Sequence, residues 1–184
     1  DDHLVLIEGS TGHIRFESPF RGLAGRNAGF DEQGRFHFAS GFDADLRGLH
    51  RIDPATGVAE RILDRNASNL RAAHRIPDGW LTASATNDAF RFSPSESRDE
   101  WIEVDFAHAG GTNVFRTIDG GRTLVTGGTD GLVRLWALPE FTLQLRIKGR
   151  TSASVRMLEV LDEGSIVIGR NDDTIQVVEA RARD

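Results

Sequence analysis

Between residues 27 and 178 one pattern comes back four times: a short apolar run, an Asp/Gly turn, a second run, a small polar turn, and a third run with a polar residue near its middle. It is clearest in 69–93, 113–136 and 154–178, looser in 27–52, and partly present in 3–16. The first turns align as Asp31-Gly34, Asp78-Gly79, Asp119-Gly120 and Asp162-Gly164. Glycine there is expected to supply positive φ, and aspartate to hydrogen-bond its own backbone two residues on. In the third run Arg15, Arg51, Arg91, Arg134 and Gln176 align at intervals of 36, 40, 43 and 42 residues. A fixed period of this length must be read before any topology, because it makes each unit a neighbour of its own copies.

The runs themselves are strands. "FHFAS" (36–40), "TLVTG" (123–127), "VRLW" (133–136) and "SIVIG" (165–169) are short, rich in β-branched and aromatic residues, and bounded by Gly, Asp, Asn or Pro. No window of a dozen residues has helical spacing. Twenty glycines in 184 residues fit a chain of many tight turns. The fold class is therefore all-β. A period near forty with about four strands per unit is the arithmetic of a β-propeller built of four-stranded antiparallel blades, four to five of them, in an incomplete ring. The blades are expected at 3–25 (partial), 27–64, 69–106, 113–148 and 154–180 (partial). With strands named a to d, strand d is the outer, polar one: 59–63, 101–106 and 143–147. One blade cannot bury both of its faces; blades stacked face to face can.

Residues 108–136 resemble the WD-repeat β-propellers. The resemblance rests on His108, Val114, the turn at Gly120-Gly121, Thr126, Asp130 and Trp136. It implies that His108, Thr126, Asp130 and Trp136 form one structural hydrogen-bonded chain. The chemistry is sound in itself, since a buried indole N–H needs an acceptor and a hydroxyl can pass the chain on to an imidazole and a carboxylate. Ala107 and Ala137 depart from the family's Gly and Asp. The other units carry Glu17, Ser93 and Val178 at the tryptophan place, and Thr11, Asn87 and Asp172 at the aspartate place.

Net charge is −6, which argues against duplex nucleic acid as a partner. Cysteine is absent, which excludes disulfides and thiolate metal sites. No apolar run approaches the length of a membrane-spanning helix, so no membrane insertion is expected. No cofactor or metal is expected: Asp43, Asp45, Asp172 and Asp173 fall in turns without the oxygen density calcium needs, and the six histidines read as surface or capping residues. Trp80, Phe92, Trp101, Phe115 and Phe141 read as core.

One pattern points to binding. Arg26, Arg65 and Arg150 occupy matching places in the d–a connections, and Arg170 adds to them from a b–c turn on the same rim. Arginines around a channel mouth suit an acidic peptide or a phosphate. The expected function is a non-catalytic protein- or peptide-binding scaffold. The alternative is a propeller enzyme of lactonase-like hydrolase or quinoprotein type with a channel ligand, and a third class is a structural spacer. The first unit opens at strand b and the last stops after strand c. The chain is thus expected to be a segment joined to further blades or other domains, against the alternatives of a closed five-blade ring or two chains completing each other.

Overall fold

The computed structural model describes residues 3–21, 29–30, 34–40, 48–63, 70–84, 87–94, 100–161 and 164–179. Its strands make five antiparallel sheets. A hairpin, β1 (His3–Ile7) and β2 (Ile14–Arg21), comes first. Three four-stranded sheets follow: β3 (Gly29–Phe30) to β6 (Ala59–Leu63), with β4 (Phe36–Ser40) and β5 (Gly48–Ile52) between them; β7 (Leu70–Ile76), β8 (Gly79–Ser84), β9 (Phe90–Pro94) and β10 (Ile102–Val104); and β11 (Thr112–Ile118), β12 (Thr123–Gly128), β13 (Leu132–Ala137) and β14 (Thr142–Lys148). The last sheet has three strands, β15 (Val155–Val160), β16 (Ile166–Arg170) and β17 (Ile175–Val178). From β3 onward these are four blades of a β-propeller. Among the described residues β1 and β2 pair only with each other, and β15–β17 only among themselves.

Within each four-stranded blade the strands run in chain order, so every connection is a hairpin. The first strand of each blade is innermost: β7 packs on β4 and β5, β11 on β7 and β8, and β15 on β11 and β12. Burial follows this order. All of β12 is buried, whereas β14 is mostly exposed, with only Leu143 and Ile147 half-buried. The core is consequently three apolar layers between consecutive blades. Ala39 and Leu49 meet Leu70, Ala73 and Trp80 in the first. In the second, Phe90 meets Phe115, Trp136 and Phe141 edge-on, at ring separations of 5.6, 5.7 and 5.8 Å. In the third, Val114, Val125 and Val133 meet Val155, Leu158 and Ile168. Edge-to-face aromatic contact adds to what burial alone contributes.

The turns show where the sequence reading holds and where it fails. At the first turn of the blade β11–β14, Asp119, Gly120 and Gly121 take positive φ (54°, 63° and 87°), and the Thr123 hydroxyl donates to the Asp119 carboxylate at 3.1 Å. Gly34 and Gly164 also take positive φ. Gly79 does not. It starts β8 in extended backbone, and a Cβ there would run into the Ser93 carbonyl, so close approach rather than backbone conformation requires glycine. The outer strand of that blade is shorter than expected, because Phe106 adopts φ 54° beyond it. Trp101 is exposed, with the Arg91 guanidinium over its ring, so it is not core. His37 and His50 are buried rather than superficial.

Gly127 tests the stacking directly. A Cβ there would lie 2.5 Å from a Val155 methyl and 2.9 Å from a Val114 methyl, at the contact between two blades. Gly127→Ala should cost about 1–3 kcal/mol by overpacking. Gly169 holds the same register place in the last sheet, where a Cβ would meet only the flexible Met157 side chain. Gly169→Ala should stay within about 0.5 kcal/mol. Urea melts of the two variants check this, and equal losses would contradict it.

Candidate functional site

Blade β11–β14 brings His108, Thr126, Asp130 and Trp136 together. The Trp136 indole N–H donates to the Thr126 hydroxyl at 2.9 Å. That oxygen lies 2.8 Å from His108 Nε2, and His108 Nδ1 lies 2.8 Å from Asp130 Oδ1. His108 is fully buried, and its ring lies over Gly128, where any side chain would collide with it. Asp130 also accepts the Leu132 N–H at 3.1 Å, which shapes the b–c turn through Gly131 at φ 75°. Burial pushes the imidazole pKa down, against the carboxylate that would raise it, so the ring is neutral. Burial alone would raise the Asp130 carboxyl, but the hydrogen bonds it accepts from His108, Arg134 and the Leu132 N–H hold it well below the usual carboxylate range.

Arg134 is a fifth member that the sequence reading missed. Its Nη1 donates to Asp130 Oδ2 at 2.8 Å and lies 2.6 Å from His108 Nδ1, so two donors converge on one carboxylate. The equivalent Arg51 and Arg91 instead pair with Glu60 and Glu103, their cross-strand partners on the outer strand. Opposite Arg134 stands Arg146. Like charges across a ladder repel, so the guanidinium turns to the carboxylate four residues back. The absence of an acidic residue at 146 was the signal available.

The d–a connections and b–c turns meet on one rim. The Ser154 hydroxyl donates to the Thr129 carbonyl, and the Asn171 N–H to the Ser154 carbonyl. Arg150 is exposed there. Arg170 ends β16 buried, with its guanidinium against Gly149 and its Nε and Nη2 without a partner among the described residues. Arg26 and Arg65 lie outside the described residues, as do Asp43 and Asp45. The Asp172 carboxylate accepts the Thr151 and Thr174 hydroxyls at 2.8 and 2.6 Å, and Asp173 takes φ 61°, both as turn residues.

A second set of polar residues emerges from the register. The innermost strands β7, β11 and β15 each carry a β-bulge near their start, between Leu70 and Ala72, Thr112 and Val114, and Val155 and Met157. The unpaired residues are Arg71, Asn113 and Arg156. A bulge re-aims its side chain. Arg71 Nη1 reaches the next blade and donates to Asn113 Oδ1 at 2.7 Å and to Thr129 Oγ1 at 3.1 Å. Asn113 in turn donates to the Val155 carbonyl at 2.9 Å. Arg156 Nη1 is buried without a partner among the described residues. Deeper along the same inner strands, His74 lies 3.5 Å from the Thr117 hydroxyl and near Arg116, which pairs with Glu159. Burial first, then the Arg116 charge, lowers the His74 pKa to about 4.

No protein-family model matches the chain, and no curated protein does. Many solved structures share its arrangement. One is the crystal structure of the computationally designed Ika4 protein, at 18% identity and a TM-score of 0.61 over 83% of this chain and 88% of that one. At that identity the likeness bears on the propeller fold alone. No helix among the described residues is long and apolar enough to cross a membrane.

Asp130→Ala leaves His108 Nδ1–H and the Arg134 guanidinium without their acceptor, and should cost about 3 kcal/mol in a denaturant melt. Asp172→Ala, at the equivalent but exposed turn, should cost far less. Similar losses would contradict the network's role.

His74 has its folded pKa below its ordinary value of 6.5. Its contribution is therefore present above pH 6.5 and is lost as pH falls toward about 4, because the unfolded chain takes up a proton that the folded chain refuses. The loss over that window should be on the order of 2 kcal/mol, and His74→Gln should remove that share. Unfolding free energies at both ends of the window decide it; an unchanged difference in the variant would contradict the assignment.

Proposed function

We propose that the chain is a non-catalytic binding scaffold whose rim takes a protein or peptide partner through acidic side chains. The observation that carries this reading is the repeated bulge near the start of three neighbouring inner strands, which takes Arg71, Asn113 and Arg156 out of the ladder and lets Arg71 reach the rim residue Thr129. Among the described residues Arg71 donates to neutral partners only, an amide and a hydroxyl. Burial lowers its pKa, a sign that its charge lacks the solvation of open water. Arg156 has a buried nitrogen with no partner among the described residues. Arg150 stands exposed on the same rim. A chain of net charge −6 that keeps these guanidinium groups on one rim holds a local positive field there. Guanidinium groups recognise carboxylates with charge-assisted, directional hydrogen bonds.

The network of His108, Thr126, Asp130, Arg134 and Trp136 holds that rim in place. Both ring nitrogens of His108 are engaged and the ring is buried, which supports a structural part for it rather than proton transfer to a ligand.

Fluorescence anisotropy with glutamate-rich peptides tests the reading. Binding should weaken steadily as salt rises. Arg71→Gln combined with Arg156→Gln should weaken it about tenfold or more, the scale of one lost charged hydrogen bond. Affinity that ignores both salt and the double substitution would contradict it.

A further inference from the structure

The outward face of the last sheet is a blade-stacking face with no blade upon it among the described residues. Register defines it. In blade β7–β10 the residues Ala72, Ala83 and Phe90 lie side by side across three strands. In blade β11–β14 the same places are Val114, Gly127 and Val133. Both rows are covered by the following blade, and their side chains are wholly or almost wholly buried. In the last sheet the row is Met157, Gly169 and Ile175, and the next row along is Glu159, Val167 and Val177. Here Met157 is 43% exposed, Ile175 71% and Val177 56%. Glu159 aside, which pairs with Arg116, the residue types stay apolar although the cover is absent. An exposed apolar surface of this kind marks an interaction site.

The fold itself says what shape fits. Each such row in this chain is met by the opposite face of another blade of the same repeat. The chain's own first sheet does not supply it: among the described residues β1 and β2 pair only with each other, and their cross-strand partners Ile7 and Ile14 are each more than half exposed. The molecule thus carries uncovered apolar residues both on its last sheet and on its first hairpin.

We propose that the face of Met157, Val167, Ile175 and Val177 docks a second copy of this chain, head to tail, against the sheet β1–β2 that bears Ile7 and Ile14. The contact continues the interface that already joins consecutive blades, with sheets about 10 Å apart. It is heterologous, and two copies that each cover the other's end close it into a dimer.

Sedimentation velocity on the purified chain reads the first outcome. A dimer is expected at tens of micromolar, and Ile175→Asp with Val177→Asp should raise its dissociation constant at least about 100-fold, since each change puts a charge into buried apolar surface. Both positions are exposed in the single chain, so the variant should keep the wild-type circular dichroism melt. The chain has no cysteine, which makes a second readout clean. Chains carrying Ile7→Cys, mixed with chains carrying Ile175→Cys and joined by a short thiol linker, should give a two-chain product containing one of each. A monomeric wild type, a double variant that dimerises as the wild type does, or linkage within one chain when both cysteines sit on it would each overturn the proposal. The last outcome would show the chain's own first hairpin on that face.

Discussion

The proton on the Thr126 hydroxyl orders the blade at the heart of the stack. The oxygen already accepts the Trp136 N–H, so its own hydrogen goes to the near acceptor, His108 Nε2 at 2.8 Å, rather than to the Arg134 carbonyl at 3.5 Å. Nδ1 must then carry the ring proton and donate it to Asp130. The carboxylate stays ionised, and Arg134 answers its charge. Each choice forces the next. The result ties strand β12, strand β13, the turn between them and the d–a connection into one unit.

That unit matters because blade β11–β14 has its neighbours on both sides inside well-defined apolar layers. Trp136 belongs to the network at its indole nitrogen and to the aromatic cluster around Phe90 at its ring edge. Polar order within the blade and apolar packing between blades therefore meet in one side chain. The rim inherits its rigidity from the same place: Thr129, beside Asp130, accepts from Arg71 through its hydroxyl and from Ser154 through its carbonyl. Any partner held by the rim arginines is held on loops fixed from beneath.

Much of this was legible in the sequence, and the rest was hidden for definite reasons. The period and the Asp/Gly turns are local chemistry, and they gave the all-β propeller and the sequence places of its strands. The four residues from His108 to Trp136 are a spacing pattern. Arg134 was hidden because its direction depends on what lies across the ladder, and Arg146 stands there instead of a glutamate. Arg71, Asn113 and Arg156 were hidden because a bulge shifts register by one residue, which periodicity cannot show. The burial of Arg170 was hidden because nothing in its own sequence surroundings reveals that Gly149 leaves room for its guanidinium. Trp101 looked like core because an alternating strand was expected where only Ile102–Val104 pairs.

The tautomer of His108 tests the central claim most directly. Long-range proton–nitrogen correlation spectra of the imidazole distinguish a protonated Nδ1 from a protonated Nε2. The structure requires Nδ1–H and a bare Nε2, unchanged from neutral pH down through the unperturbed histidine value of about 6.5. A ring protonated on Nε2, or one that titrates near that value, would contradict the chain of hydrogen bonds from Trp136 to Asp130.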